Sequence, residues 1–232
     1  MPSYKVFSGE SQIHFTGRLI KLKRKSFHIG LGLLVLFVIW TVALRLVDVA
    51  EIGPQNSSVG FSTLNKVIHN ITGEHMLLYT ITDWLGIIPL CFIIGFGVLG
   101  LYEWIKRRKF FKVDFSILVL GGFYIIVMAL YIFFEMFVVN YRPILINGVL
   151  EASYPSSTTM LVICVMTTAI KQLNVRIKNS IFRRCVAFII TAFIVFMVIG
   201  RLISGVHWLS DIIGGVMLSI GLVMIYDSIV NG

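Results

Sequence analysis

Long apolar stretches alternate with shorter polar ones along most of the chain. Six apolar runs stand out, at residues 29–47, 84–104, 115–140, 157–170, 181–203 and 208–225. A helix needs about 20 residues to cross the hydrocarbon core of a bilayer, and only the fourth run falls well short of that length. The pattern therefore predicts an all-α fold, a polytopic membrane protein with a bundle of six transmembrane helices.

Composition and charge agree with this prediction. Of the 232 residues, 57% are hydrophobic, which is more than the core of a soluble protein of this size requires. The formal net charge is +9, but fifteen of the twenty Lys and Arg residues fall in three clusters, at residues 18–25, 106–112 and 171–184. The clusters occupy alternate connections, as expected for the cytoplasmic loops of a membrane protein. Topology thus accounts for the positive charge and excludes nucleic acid as a partner.

The same charge rule sets the orientation and the domain organisation. Residues 1–28 are predicted to form a cytoplasmic N-terminal tail, and residues 29–232 a single six-helix membrane domain. With six spans, both termini are cytoplasmic. The longest external connection, residues 51–83, carries apolar residues at helical spacing, which predict an amphipathic helix on the external membrane surface. These residues are Phe61, Leu64, Val67, Ile68 and Ile71.

Ionisable residues gather near the start of the last apolar run. Arg201, His207 and Asp211 lie at the edge of membrane segments, where charged groups are costly unless they are paired, hydrated or used. The spacing of four places His207 and Asp211 on one helical face, where the carboxylate can orient the imidazole. Arg201 adds a planar cation suited to phosphate. This constellation predicts a phosphate-handling site at the external face.

The preceding external connection, residues 141–156, adds groups of the same kind. Arg142 can supply a second forked donor to phosphate oxygens. Ser156 is a favourable N-cap for the fourth helix, whose first turn offers free backbone N–H groups and a dipole that attracts anions. The hydroxyls of Ser156 and Ser157 are further candidate phosphate ligands.

In these motifs the chain resembles the type-2 phosphatidic acid phosphatase superfamily, also called the lipid phosphate phosphatase and haloperoxidase-like superfamily. The third motif of that family, SRxxxxxHxxxD, is matched from Gly200 to Asp211, with Gly200 in place of Ser. The first motif, KxxxxxxRP, ends in Arg142-Pro143, and Glu135 stands at its Lys position. The second motif, PSGH, is matched by Pro155-Ser156-Ser157, with Thr158 in place of His.

The resemblance implies that His207 is a nucleophile that forms a phosphohistidine, that Asp211 is its partner, and that Arg142 and Arg201 bind the phosphate. It also implies a difficulty, because the family's second-motif His helps to protonate the leaving group and Thr158 cannot do so at neutral pH. Two solutions are open. Either the substrate is a diphosphate, whose leaving group needs less protonation, or the carboxyl group of Glu135 or Glu151 is the acid. Glu135 is also expected to form an ion pair with Arg142, two helical turns further on.

The predicted function is that of a membrane phosphohydrolase acting at the extracytoplasmic face on a lipid phosphate or diphosphate. An isoprenoid diphosphate such as undecaprenyl diphosphate and a glycerolipid phosphate such as phosphatidate are both candidate substrates. The alternative is a catalytically silent relative that binds or moves lipid phosphates or supports a partner, and a third possibility is phosphotransfer to an acceptor other than water. The mechanism requires no cofactor and no metal, and the sequence shows no metal-ligand spacing.

Overall fold

The computed structural model describes the backbone of residues 9–230 and the side chains of residues 24–230 except Phe110. The first eight residues of the predicted tail lie outside the described part. Among the described residues all the main elements are helices, and six are long and apolar enough to cross a membrane. The helices are α1 (Gly9–Leu46), α2 (Ser62–Thr72), α3 (Met76–Leu85), α4 (Ile87–Arg107), α5 (Phe115–Met136), α6 (Ser157–Arg176), α7 (Ser180–Ile203) and α8 (Leu209–Val230).

This architecture confirms the predicted six-helix membrane fold and changes three boundaries. The second span begins at Met76, because α3 and α4 are separated only at Gly86 and together form one apolar segment. Residues 76–83, expected in a connection, are therefore helical. The fourth span continues to Arg176 through a π-helical stretch. The first helix extends back to Gly9, into the predicted tail, since adding residues to an existing helix is far easier than starting one.

The centre of the bundle is α6, which the other spans surround. All five residues of its π-helical stretch, 162–166, are buried. α1 and α8 pack closely against each other, and a Cβ on Gly30 would lie 2.9 Å from the Gly221 carbonyl oxygen. The absence of side chains there lets the two backbones approach, as is common between membrane helices.

The predicted amphipathic helix is confirmed as α2. Its apolar residues Leu64, Val67 and Ile71 are exposed. Its inner side carries Asn65, which is fully buried and donates a hydrogen bond of 2.9 Å to Ser210 Oγ. The Asn65 side-chain oxygen also accepts a bond of 3.1 Å from the Ser210 backbone N–H. These two bonds fasten α2 to the first turn of α8.

Two of the basic clusters lie together at one end of the bundle. Arg176, at the end of α6, forms an ion pair of 3.2 Å with Asp114, which caps the start of α5. The connections that carry the predicted phosphate-binding residues join the opposite ends of the same helices. The polar groups predicted to form a site therefore meet at the end of the bundle remote from these clusters.

Candidate active site

The turn between α7 and α8 places His207. α7 ends at Ile203, and Gly205 follows with a φ of 72°, a conformation that favours glycine. A Cβ on Gly205 would lie only 2.2 Å from the Gly73 carbonyl oxygen, just before α3. The His75 N–H donates to the Ser204 carbonyl oxygen at 3.0 Å, so the start of α3 is bound to this turn. His207 follows this turn and is buried, with 3% of its surface exposed.

Asp211 is fixed in the first turn of α8. Its Oδ2 accepts a hydrogen bond of 3.0 Å from the backbone N–H of Trp208, an arrangement in which an acidic side chain caps the helix it belongs to. Trp208 donates its ring N–H to the Tyr141 carbonyl oxygen at 2.8 Å. The Asp211 carbonyl oxygen accepts from the Ser156 N–H at 3.1 Å, which ties α8 to the start of α6.

The expected direct contact between His207 and Asp211 is replaced by a bridge through Ser153. His207 precedes α8 instead of lying on its surface, so the helical spacing does not apply, and its Nδ1 is 3.9 Å from Asp211 Oδ2. Between them lies Ser153 Oγ, 3.0 Å from Nδ1 and 2.5 Å from Oδ2. Ser153 is 2% exposed and comes from the connection before α6.

The bridge selects one tautomer of His207. An ionised carboxylate can only accept, so the Ser153 hydroxyl donates to Asp211 and accepts from Nδ1–H of His207. The lone pair of the imidazole is then on Nε2. Burial holds the pKa of His207 well below its usual value of 6.5, and the positive charges of Arg201 and Arg142 lower it further. The imidazole is therefore neutral at neutral pH, as a nucleophile must be.

The structure brings Arg201 against the free side of this imidazole. Its Nη2 lies 3.4 Å from Nε2 of His207. The guanidinium is 1% exposed, and its nearest carboxylate oxygen, on Asp83, is 3.6 Å from Nη1. Its Nε and Nη1 have no hydrogen-bond partner among the described residues. Buried donors without partners are costly and mark a place where an anion can bind.

Arg142 has the same character. It is 9% exposed, and its Nε and Nη1 likewise lack hydrogen-bond partners among the described residues. The two guanidinium groups converge on one aromatic ring, because the Arg201 and Arg142 Cζ atoms lie 5.1 and 6.0 Å from the centroid of Tyr79. Tyr79 belongs to α3, so the same helix that holds the His207 turn also aligns both arginines.

The prediction that Glu135 forms an ion pair with Arg142 is wrong. Arg142 Nε instead lies 3.2 Å from Glu151 Oε2. The reason is that α5 ends at Met136, so residues 135 and 142 are not on one helical face. Beyond the helix the chain folds back on itself, with an antiparallel bridge between Tyr141 and Ala152 that makes Arg142 and Glu151 neighbours.

The two predicted serine ligands have different environments. Ser156 is fully buried, and its Oγ accepts from the Thr159 N–H at 3.5 Å as the N-cap of α6, which is a structural task. Ser157 lines a cavity of about 1030 Å³ together with Thr158. The side chains of Arg142 and Arg201 line the same cavity.

Three members of the site were missed from the sequence: Ser153, Tyr79 and Asp83. All three come from segments that the family motifs did not cover. The approach of α3 also explains the departure at Gly200, since a Cβ there would lie 2.8 Å from Thr82 Cγ2. The small residue is the one local signal that another helix packs closely against the third motif.

The fold and the site together define a polytopic membrane protein with a buried Arg, His and Asp centre built to receive an oxyanion. Comparison with known proteins shows which family the chain resembles. Residues 135–231 match the model of the PAP2 superfamily, which confirms the resemblance inferred from the motifs. The matched region contains every site residue named above except Tyr79 and Asp83.

A solved structure shows the same fold over most of the chain. It is the transmembrane PAP2 type phosphatidylglycerolphosphate phosphatase from Bacillus subtilis, with a TM-score of 0.57 and 18% sequence identity. The match covers 86% of this chain and 93% of the other. No curated protein sequence matches the chain significantly.

Proposed function

We propose that this protein is a membrane phosphohydrolase that removes phosphate from a lipid phosphate or diphosphate through a phosphohistidine on His207. The observation that carries the proposal is the convergence of two buried guanidinium groups, each with donors that lack hydrogen-bond partners among the described residues, beside a neutral imidazole whose Nε2 faces Arg201. Glu151 and Asp83 lie within 4 Å of the guanidinium groups but leave these donors without hydrogen bonds. Buried donors without partners are costly, so the arrangement suits a ligand that supplies negative charge.

The geometry gives each residue a task. A phosphoryl oxygen that accepts from Arg201 in place of His207 brings phosphorus next to Nε2. Attack by Nε2 makes the imidazole cationic, and Asp211 stabilises this charge through the Ser153 hydroxyl. Arg142 and Arg201 hold the equatorial oxygens as charge develops on them. Water then attacks the phosphohistidine and releases inorganic phosphate.

Protonation of the leaving group depends on which residue does the work of the second-motif histidine of the family. Thr158 lines the cavity but cannot act as an acid. Glu135 and Glu151 line it too, and these two carboxyl groups are the candidates for donating the proton. A diphosphate, for example undecaprenyl diphosphate, requires less protonation than the alkoxide released from phosphatidate.

The proposed location of the site is the extracytoplasmic face. It lies at the end of the bundle away from the basic connections at residues 106–112 and 171–184, which the positive-inside rule assigns to the cytoplasm together with both termini. Accessibility of a cysteine introduced at exposed Glu51 to a membrane-impermeant reagent in intact cells would test this orientation.

The decisive experiment for the function is phosphate release by the purified protein from phosphatidate and undecaprenyl diphosphate. His207→Ala should lower the rate by at least about 10³-fold, because the covalent route is lost. His28→Ala, which changes an exposed histidine in α1, serves as the matched control and should be near wild type. Equal rates of phosphate release by wild type and His207→Ala would contradict the proposal.

One observation favours a second candidate, a silent relative that binds lipid phosphates without turnover. Glu151 and Asp83 lie 3.2 and 3.6 Å from the two arginines, where they compete with phosphate for the guanidinium groups. Lipid phosphate binding that depends on Arg142 and Arg201, with no release of phosphate from any substrate, would support this alternative.

A further inference from the structure

An apolar groove runs along the outside of the bundle between α4 and α5. It has a volume of about 780 Å³, and no charged side chain of the described residues lines it. Phe96 and Tyr124 on its inner side are buried, whereas Ile125 on its outer side is exposed. Of the described residues, only Met128 lines both this groove and the active-site cavity. In a bilayer the groove faces hydrocarbon, and an apolar chain that enters it gains packing contacts.

The groove closes at the connection between the two helices. There Glu103, near the end of α4, accepts a hydrogen bond of 2.9 Å from the backbone N–H of Asp114, just before α5. Farther from the connection, a Cβ on Gly97, Gly121 or Gly122 would meet no atom within 4 Å beyond its own helical backbone. The two helices are thus fastened at one end, and the missing side chains leave the space between them open.

The connection at the closed end is strongly basic. Trp104 is the last groove-lining residue of α4, and Val113 is the first one after the connection. Between them, Arg108, Lys109 and Lys112 are exposed and form no ion pair within the described part of the chain. Exposed cations just beyond the end of a membrane helix attract lipids with negatively charged headgroups. The apolar groove and the cationic connection therefore follow each other in the order in which a lipid carries its chains and its headgroup.

The positive-inside rule accounts for the sign of these charges but not for the groove beside them. The other basic connection at this end of the bundle has a different character. There Lys171 and Arg176 pair with Asp227 and Asp114 at 2.6 and 3.2 Å. Uncompensated cations next to an apolar groove are thus a property of the α4–α5 connection and not of this whole end of the protein.

We infer that the groove binds a glycerophospholipid with a net negative headgroup, which lies at Arg108 and Lys112 while an acyl chain follows α4 and α5. A second copy of the chain fits less well, because a parallel copy would bring its own basic connection to the same level and oppose like charges. In the proposed orientation this lipid belongs to the cytoplasmic leaflet, opposite the active site. The inference goes beyond the proposed function and does not depend on it.

Quenching of Trp104 fluorescence tests the inference, because brominated acyl chains quench a Trp side chain that they touch. The probes are phosphatidylglycerol and phosphatidylcholine with brominated chains, titrated into bilayers of unlabelled phosphatidylcholine that hold the full chain. Phosphatidylglycerol has no terminal phosphate, so the proposed reaction does not consume it. The chain has four Trp residues, and the Trp104 signal is the difference between wild type and Trp104→Phe. Half-maximal quenching should need at least about fivefold less of the anionic lipid than of the zwitterionic one.

Two double variants with the same change of charge test the headgroup contact. Arg108→Gln with Lys112→Gln should reduce the preference for the anionic lipid to below about twofold. Lys178→Gln with Arg184→Gln changes exposed residues of the other basic connection and should keep the wild-type preference. Equal quenching of wild type by the two lipids, a preference that survives in the first double variant, or an equal loss in the second one would overturn the inference.

Two glycine variants of α4 test the acyl-chain contact. Gly97→Leu places a side chain in the groove and should raise the amount of anionic lipid needed by about threefold or more. Gly95→Leu is the matched control, since a Cβ there also meets open space but Gly95 does not line the groove. Both variants should unfold at the wild-type temperature, because leucine favours a helix more than glycine does. Unchanged quenching in Gly97→Leu would overturn the inference, and quenching of Trp104 by neither lipid would overturn it in favour of a second copy covering the groove.

Discussion

Replacing Ser153 by Ala would test the bridge between His207 and Asp211. In the wild type the Ser153 hydroxyl fills the space between Nδ1 and Oδ2, which are 3.9 Å apart. A direct hydrogen bond between an N–H and a carboxylate is about 2.8 Å long, so the two groups would have to close by about 1 Å. Both are buried and held by other contacts, which opposes that movement.

The expected loss can be worked out from this geometry. A hydrogen bond to a charged group is worth about 1.5–3 kcal/mol, and the Ser153 bridge is needed most when the imidazole becomes cationic in the transition state. Since about 1.4 kcal/mol corresponds to a factor of ten, kcat should fall by about 10-fold to 150-fold. KM should change little, because Ser153 does not line the cavity that contains the arginines.

The assay is steady-state phosphate release, with the thermal unfolding midpoint measured in the same detergent to check the fold. Ser210→Ala is the matched control, since the Ser210 hydroxyl also contacts Asp211, at 3.5 Å, but does not touch His207. It should lower kcat by no more than about threefold. A Ser153→Ala protein that folds normally and keeps kcat within twofold of wild type would refute the bridge, as would an equal loss in Ser210→Ala.

Three further predictions concern the frame of the site. Gly205→Ala should destabilise the protein by at least ~2 kcal/mol in thermal unfolding, because it places a Cβ at positive φ and 2.2 Å from the Gly73 carbonyl oxygen; an unchanged midpoint would contradict this. Gly200→Ser should cost about 1–3 kcal/mol by crowding Thr82 Cγ2, and Thr82→Ser, which deletes that methyl group, should recover most of the loss in the double variant. Because burial lowers the pKa of His207 in the folded protein below its unfolded value of 6.5, its contribution to stability should be fully present above that pH and be lost as the pH falls below it. His207→Asn, which does not titrate, should show a weaker decline in unfolding midpoint between pH 7 and pH 5, and an identical decline would count against a neutral buried imidazole.

The residues that were found from the sequence share one property, which is that their chemistry is unusual for their position. Arg201, His207 and Asp211 lie at the edges of apolar segments, where ionisable groups are costly unless they are paired, hydrated or functional. Arg142 belongs to the part of the first family motif that the chain keeps. The number of spans followed in the same way, from apolar length alone. Such signals are local, so no knowledge of distant contacts was needed.

The residues that were missed depend on contacts between distant segments. Ser153 is an ordinary serine in a polar connection, and its role appears only when the fold brings it to residues more than fifty positions away. By the sequence pattern Tyr79 and Asp83 fall in a connection, because the second apolar run begins at residue 84. The incorrect Glu135–Arg142 pair has a related cause, since the end of α5 decides which residues are neighbours and helix ends are poorly determined by periodicity.

One departure from the family motifs, glycine at position 200, is physically connected to α3. Glycine at position 200 allows Thr82 to approach the third motif, and this approach carries Asp83 to Arg201. A serine there would push α3 outward and weaken its contact with the arginine. The carboxylate of Asp83 offsets the charge of the Arg201 guanidinium, which makes the cavity less attractive to a simple anion. The small residue in the third motif and the ion pair of Asp83 with Arg201 therefore belong to one arrangement, and Gly200→Ser should weaken that pair and strengthen the binding of inorganic phosphate to Arg201.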